Sequence, residues 1–157
     1  MTVDMTKLVK EALTGELGQL RDAVKKAAEP LTEEQFWRKP VEPGNSFGHL
    51  VLHLSGNLNY MVGACLGGTG YRRDREREFT ETNVPSKSEA LTKLDEAVTT
   101  FRRVVEGLGD EQFAAMHPEA RLGCVLPALV HLVAHFAIHR GQISYITRLV
   151  TSPSHGT

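Results

Sequence analysis

Apolar residues recur at helical spacing in four long segments of the chain. In residues 4–28 the stripe consists of Leu13, Leu17, Leu20, Val24 and Ala27, and steps of three and four place such residues on one face of a helix. Residues 46–66, 86–108 and 127–150 carry the other three predicted helices. No segment alternates apolar and polar residues as a half-buried strand does. The pattern therefore predicts an all-α protein, a four-helix bundle.

Local capping signals mark where the helices begin. Residues 32–35 (Thr-Glu-Glu-Gln) have the order of a capping box and predict a short helical turn that ends before Pro40. Ser46 is placed to cap the second long helix, and Ser86 with Glu89 forms another capping box at the start of the third. The helix boundaries are therefore predicted from residues that are close neighbours in the chain.

The connection between the second and third long helices is unusually long. It covers residues 67–85 and shows no sustained periodicity, whereas antiparallel neighbours need only a few connecting residues. We therefore expect a crossover that runs the length of the bundle, with helices two and three parallel. Its charged run, residues 72–78, is expected to be a solvated segment with local ion pairs.

Length and composition exclude several classes of protein. The chain has 157 residues, a length that indicates one domain, residues 1–150. Its formal net charge is −1, which argues against electrostatic binding of nucleic acid or membrane. No apolar run approaches the roughly 18 residues that span a bilayer, and the N-terminus lacks the apolar core of a signal peptide. The two cysteines have no CxxC spacing, so a disulfide framework is not expected. This favours a reducing compartment, the cytoplasm. Residues 151–157 predict a disordered tail.

The two halves of the chain resemble each other in two places. Residues 31–36 match residues 108–113, and residues 49–54 match residues 131–136, at offsets of 77 and 82 residues. Chance similarity between leucine-rich helices is one explanation. Internal duplication is the other, and it would place His53 and His135 at the same height on facing helices.

The fourth helix carries His131, His135 and His139 at spacings of four. Residues at that spacing lie one turn apart on nearly one face, so two imidazoles can chelate one metal ion. His131 and His139 are too far apart to share an ion, so the pair is either 131/135 or 135/139. His53 could add a third nitrogen. The alternative is ordinary packing of hydrogen-bonded histidines, although several buried imidazoles without partners would cost about 1–3 kcal/mol each. His117 and His155 are expected to be solvated.

Two strings resemble a known family. Residues 135–143 (HFAIHRGQI) resemble the H-x-x-x-H-R-G-Q-I signature of the DinB/YfiT-like superfamily of metal-dependent enzymes, and residues 46–54 resemble its second helix. Residues 73–79 also resemble the segment that follows that helix in one branch. The resemblance implies an up-down-down-up four-helix bundle with a divalent metal, zinc as first choice and nickel as alternative. It implies the ligands His53, His135 and His139, and leaves no ligand role for His49 and His131.

The resemblance also implies a homodimer and a range of activities, including thiol transfer and hydrolysis. A three-histidine ion with an open position can activate a thiol or a water. Because no acid lies at ligand height on helices two or four, we favour thiol S-transfer with a low-molecular-weight thiol. The alternatives are a metal-dependent hydrolase acting on a small molecule and a bundle that binds metal or ligand without turnover. The polar candidates around the ion are Asn57, Asn59, Gln142 and Tyr145. Trp37, Tyr71 and Phe79 are candidates for the dimer interface.

Overall fold

Four long helices form the protein in a computed structural model that describes residues 3–153. They are α1 (Met5–Ala28), α3 (Phe47–Leu58), α5 (Lys87–Gly107) and α7 (Val125–Thr151). The short helices α2 (Glu33–Trp37), α4 (Arg77–Thr80) and α6 (Asp110–Ala114) lie in the connections, with a 3₁₀ turn at Ala120–Leu122. No β-strand occurs within residues 3–153. The predicted all-α four-helix architecture is confirmed.

The helix starts lie where the capping residues place them. Ser46 Oγ accepts a 3.0 Å hydrogen bond from the amide of His49, and both capping boxes, at Thr32 and at Ser86, are complete. The second long helix changes form towards its end, because a π-helical segment, Asn59–Ala64, follows α3. At the C-terminus α7 reaches Thr151, and residues 154–157 of the expected tail lie outside the described residues.

Helices α3 and α5 are parallel neighbours. In the π-helical segment that continues α3, a Cβ atom built on Gly63 would lie 3.2 Å from Thr100 Cγ2, and just beyond it one on Gly67 would lie 2.6 Å from Val104 Cγ2. Both residue numbers rise by four along the two helices, so the helices run in the same direction. The long connection is therefore a crossover, as its length predicts.

Helix α1 runs antiparallel to α5. Lys10 Nζ donates to the carbonyl of Glu106 at 3.0 Å, and Arg21 Nη1 lies 3.3 Å from Asp95 Oδ1. Because the contacting residues have falling numbers along α5 as the numbers rise along α1, the two helices run in opposite directions.

Helix α7 is parallel to α1, which completes the up-down-down-up order. The Thr147 hydroxyl donates to the carbonyl of Ala27 at 3.4 Å, while Val9, near the other end of α1, lines a cavity together with Leu126. Helices α3 and α7 are therefore antiparallel, and they are adjacent in the bundle.

The core fills the space between these four helices. Its largest fully buried side chains include four phenylalanines and several leucines, namely Phe36, Phe47, Phe101, Phe136, Leu17, Leu94 and Leu132. Helix α3 is the most deeply buried element, because every one of its residues except Leu52 is buried. Polar side chains on α3 therefore need partners inside the protein. No helix within residues 3–153 combines the length and the apolarity needed to cross a membrane.

Candidate metal centre

Three histidines from two helices meet at one point. The Nε2 atom of His135 on α7 lies 3.2 Å from Nε2 of His53 on α3 and 3.1 Å from Nε2 of His139, one turn further along α7. The ring centroids of His53 and His139 are 4.8 Å apart. These are the three histidines that the family resemblance implies as ligands, and the structure brings all three together.

The spacing of the three nitrogens fits a divalent ion. At Zn–N bonds of about 2.0–2.1 Å, neighbouring ligands of a tetrahedral ion stand about 3.3 Å apart, close to the two Nε2–Nε2 distances. One ligand atom from each residue can be chosen so that all three lie within 4.8 Å of one another. Three histidine ligands leave one tetrahedral position for a water or a substrate, as in catalytic zinc sites.

Hydrogen bonds on the opposite ring nitrogens leave two of the Nε2 lone pairs available. His53 Nδ1 lies 2.8 Å from Glu78 Oε2, and His139 Nδ1 lies 2.7 Å from Gln142 Oε1. Because a carboxylate oxygen and an amide oxygen only accept, each Nδ1 carries the proton and each Nε2 carries the lone pair. His135 Nδ1 is buried and has no partner among the described residues. The tautomers of His53 and His139 are those that metal ligation through Nε2 requires.

Glu78 is the buried acid that fixes His53. It lies in α4, within the crossover, with 7% of its surface exposed, and Arg73 binds both of its oxygens at 2.7 and 2.9 Å. The prediction that the charged run is a solvated segment is therefore wrong for this pair. It holds for Arg77 and Glu81, which form a local ion pair in which the arginine is exposed.

Burial and neighbouring groups keep the site in the protonation states that a metal needs. Burial and then the neighbouring histidines lower the pKa of His135 to about 4, and burial also lowers the pKa of His139. Burial would raise the pKa of Glu78, but hydrogen bonds from His53 and Arg73 outweigh it and hold this pKa below its ordinary value. At neutral pH His135 and His139 are therefore neutral imidazoles, and the carboxylate of Glu78 behind His53 is ionised.

A small pocket opens beside the cluster. It has a volume of about 310 Å³ and is lined by ten residues, His53, Asn57, Met61, Arg73, Arg75, Arg121, Leu122, His131, Leu132 and His135. A larger groove of about 980 Å³ lies between α3, the crossover and α5, on the far side of Glu78. None of the three clustered histidines lines that groove, whereas His53 and His135 line the smaller pocket, which therefore gives access to these two.

The other polar candidates take different positions. Asn57 is buried and lines the small pocket, whereas Asn59 lines the larger groove. Gln142 contacts His139 as described. Tyr145 is 64% exposed, and within residues 3–153 it makes no hydrogen bond to the three histidines. Asn57 and Gln142 thus adjoin the cluster, and Asn59 and Tyr145 do not.

The remaining histidines lie away from the three nitrogens. His49 is buried, with Nδ1 2.6 Å from the Ser46 hydroxyl and Nε2 2.9 Å from the carbonyl of Glu81. His131 is exposed on α7, with its ring centroid 6.5 Å from that of His135. His117 is only 2% exposed, and its Nε2 lies 2.9 Å from the carbonyl of Met61. The expectation that His117 is solvated is therefore wrong, and His155 lies outside the described residues.

Sequence reasoning missed Arg73 and Glu78 as parts of the site. The expectation that no acid lies at ligand height concerned the long helices, whereas Glu78 lies in a connection without periodicity. A usable signal was present, since Phe79, an apolar residue, follows the charged run directly. Its ring lies 4.7 Å from that of His53, so this end of the run turns inward.

Comparison with known proteins gives a family for this fold and site. The sequence model of the DinB superfamily matches residues 16–143. The chain belongs to the DinB superfamily.

Solved structures share the fold at low sequence identity. A conserved protein from Enterococcus faecalis superposes with a TM-score of 0.73 at 16% identity, over 95% of this chain and 98% of that one. YfiT from Bacillus subtilis, described as a probable metal-dependent hydrolase with an unusual four-helix bundle topology, gives 0.70 at 22% identity, over 88% of this chain and 86% of its own. No curated protein matches the chain.

Proposed function

We propose that the protein is a metal-dependent enzyme that acts on a small molecule, with one divalent ion held by His53, His135 and His139. The observation that carries the proposal is the convergence of three Nε2 atoms, two of which have their proton fixed on Nδ1 by Glu78 and Gln142. Zinc is the first choice, since it favours three imidazoles with an open fourth position, and nickel is the alternative.

Among reactions, we favour S-transfer from a low-molecular-weight thiol. A divalent ion with an open position lowers the pKa of a bound water or thiol and acts as a Lewis acid. No aspartate or glutamate lines the small pocket, and Glu78 is occupied behind His53. The pocket therefore offers no carboxylate to take a proton from water, whereas a thiol that ionises at the ion needs no such base.

Hydrolysis is the second candidate, and His131 favours it. This histidine lines the same pocket without belonging to the cluster, so its imidazole is available to accept a proton from water. The description of YfiT as a probable metal-dependent hydrolase also supports this reaction.

The metal proposal is tested by the metal content of untagged protein never exposed to chelator. We expect close to one equivalent of zinc or nickel in the wild type and almost none in His139→Ala. His131→Ala is the matched control, because it removes a histidine two turns earlier on the same helix, and it should retain most of the metal. Loss of metal in His131→Ala with retention in His139→Ala would contradict the ligand assignment. Wild-type protein that binds neither ion would refute the proposal.

The reaction is tested in two assays of the metal-loaded protein. One contains a low-molecular-weight thiol and an electrophile that can accept it, and the other contains esters or amides. Thiol-dependent consumption of an electrophile that is lost in His139→Ala would support transfer. Thiol-independent hydrolysis that His131→Ala lowers would support the second candidate. A metal-loaded protein inactive in both assays would indicate a metal-binding bundle without turnover.

A further inference from the structure

The small pocket beside the histidines has a one-sided charge. Three of its ten lining residues are arginines and none is an acid. Only Arg73 has its charge compensated, since its guanidinium binds both oxygens of Glu78. The pocket therefore has two further cationic side chains, Arg75 and Arg121, and the fold gives them no comparable partner.

Neither of these two guanidinium groups is engaged by a close carboxylate. Arg121 Nε lies 3.8 Å from Glu119 Oε2, which is beyond hydrogen-bonding distance. Arg75 stacks over the ring of Phe79, 5.7 Å from its centroid, and within residues 3–153 it makes no hydrogen bond to a carboxylate. Stacking on an aromatic ring leaves the N–H groups at the rim of a guanidinium free to donate.

The two arginines reach the pocket from different parts of the fold. Arg75 lies in the crossover before α4, and Arg121 lies in the 3₁₀ turn before α7. Both are exposed, and they line the pocket together with His53 and His135, so a ligand held by them lies beside the histidines. Guanidinium groups hold carboxylate and phosphate oxygens with paired N–H donors, and a cleft with one sign of charge attracts ions of the other.

We propose that Arg75 and Arg121 bind an anionic group, carboxylate or phosphate, of the substrate while its reacting part lies at the histidine cluster. This inference rests on the proposed function and gives its substrate class, a small anionic molecule. A pocket of about 310 Å³ lies at the small end of the range for ligand sites, which limits the substrate to a compact acid.

The proposal is tested by calorimetric titration of metal-free and zinc-loaded protein with succinate, inorganic phosphate and succinamide, the neutral analogue of succinate. We expect at least one of the two anions to bind about tenfold more tightly than succinamide, and the better anion identifies the group as carboxylate or phosphate. The double variant Arg75→Gln/Arg121→Gln should lose that preference, and each single variant should lose part of it. Arg103→Gln is the control, because Arg103 is exposed on α5 and does not line the pocket.

Two results would overturn the proposal. One is equal binding of the anions and succinamide in both forms of the protein. The other is an anion preference that survives in the double variant. The zinc content of each variant separates this inference from the proposed function, since the arginine variants should keep their zinc. A wild type that binds no zinc would refute the metal centre. Anion binding can still be measured on the metal-free protein in that case, and it tests the role of the two arginines independently.

Discussion

The orientation of single side chains determines what the site can bind. His53 is held from two sides, by Glu78 on Nδ1 and by the ring of Phe79 at 4.7 Å. A carboxylate on Nδ1 fixes the tautomer and the direction of the ring and makes Nε2 a better donor to a metal. Glu78 in turn keeps its charge because Arg73 binds it. The hydrogen bonds behind the ligands are therefore part of the site.

Glu78→Gln tests this role directly. The substitution keeps the size of the side chain but removes the charge that orients His53, and it places an amide N–H₂ group against either Arg73 or His53. Loss of such a partner typically lowers metal affinity by about 10–100-fold, and we expect a decrease of that order in competition with a chromophoric chelator. Glu76→Gln, an exposed position in the same segment, serves as the control. Equal affinities for the two variants would contradict the role of Glu78.

The lowered pKa of His135 predicts a pH dependence of stability. The pKa of this histidine is 6.5 in the unfolded chain, and the fold lowers it to about 4. Between those values the unfolded chain binds more protons, so the free energy of unfolding rises with pH. The contribution is complete above pH 6.5 and is lost as the pH falls towards 4. Because the ring is only partly buried, solvent screening leaves about 1 kcal/mol of this effect.

Urea unfolding of metal-free protein at pH 7 and pH 4.5 measures this contribution. The wild type should be less stable at the lower pH, and His135→Gln should show a smaller difference between the two conditions. An unchanged difference in the variant would mean that His135 does not cause the pH dependence.

At the scale of helices and connections, the sequence predicts what depends on near neighbours. The caps at Ser46 and Ser86 involve residues three positions apart, and the long helices follow from stripes with the helical period, so both are visible in the sequence. The contact between His53 and Glu78 spans 25 residues. It depends on the path of the crossover, which has no periodic pattern. In the sequence, the resemblance of residues 73–79 and the position of Phe79 directly after the charged run are the signals that point to it.

The packing of the crossover on α3 depends on Gly56. A Cβ atom at this position would overlap Glu78 Oε1, so Gly56→Ala must displace either the carboxylate or the crossover. We expect a loss of about 1–3 kcal/mol in stability, as for other overpacked positions, together with weaker metal binding. Gly15→Ala in α1 is the matched control, because a Cβ there meets nothing within 4 Å. It should stabilise the helix by up to about 1 kcal/mol. Equal unfolding midpoints in urea for the two variants would contradict this packing argument.

At the scale of the whole molecule, the topology joins the two halves of the chain at the site. The similarity of residues 49–54 to residues 131–136 predicts His53 and His135 at the same height, and their Nε2 atoms do lie 3.2 Å apart. Because α3 and α7 run in opposite directions, residues one turn further along each helix move apart. His139 still reaches the cluster from one turn along α7, since its Nε2 atom lies 3.1 Å from that of His135, whereas Asn57, one turn along α3, lines the small pocket. The cluster therefore depends on how α3 and α7 pack in the complete bundle.

The outer face of α7 is where we expect two copies of the chain to associate as a homodimer. Within residues 3–153, its large exposed apolar side chains are Val130 (54%), Ile138 (63%), Tyr145 (64%) and Leu149 (39%). They form a stripe along a single helix, with the small residues Ala134 and Gly141 between them. Two copies of such a face can pack against each other about a twofold axis. Of the three residues expected from the sequence to form the interface, Trp37 and Phe79 pack against the core, whereas Tyr71 is exposed.

Light scattering at micromolar concentration tests this association. We expect a mass of twice the 17.3 kDa of the chain for the wild type and a shift towards the monomer for Ile138→Lys, because a lysine in the centre of a symmetric interface lies close to its own copy. Val41→Lys is the control. Val41 is 59% exposed, but it lies in the connection between α2 and α3, so the variant should remain dimeric. A monomeric wild type would refute the dimer. A dimer that both variants leave intact would place the interface on a face other than that of α7.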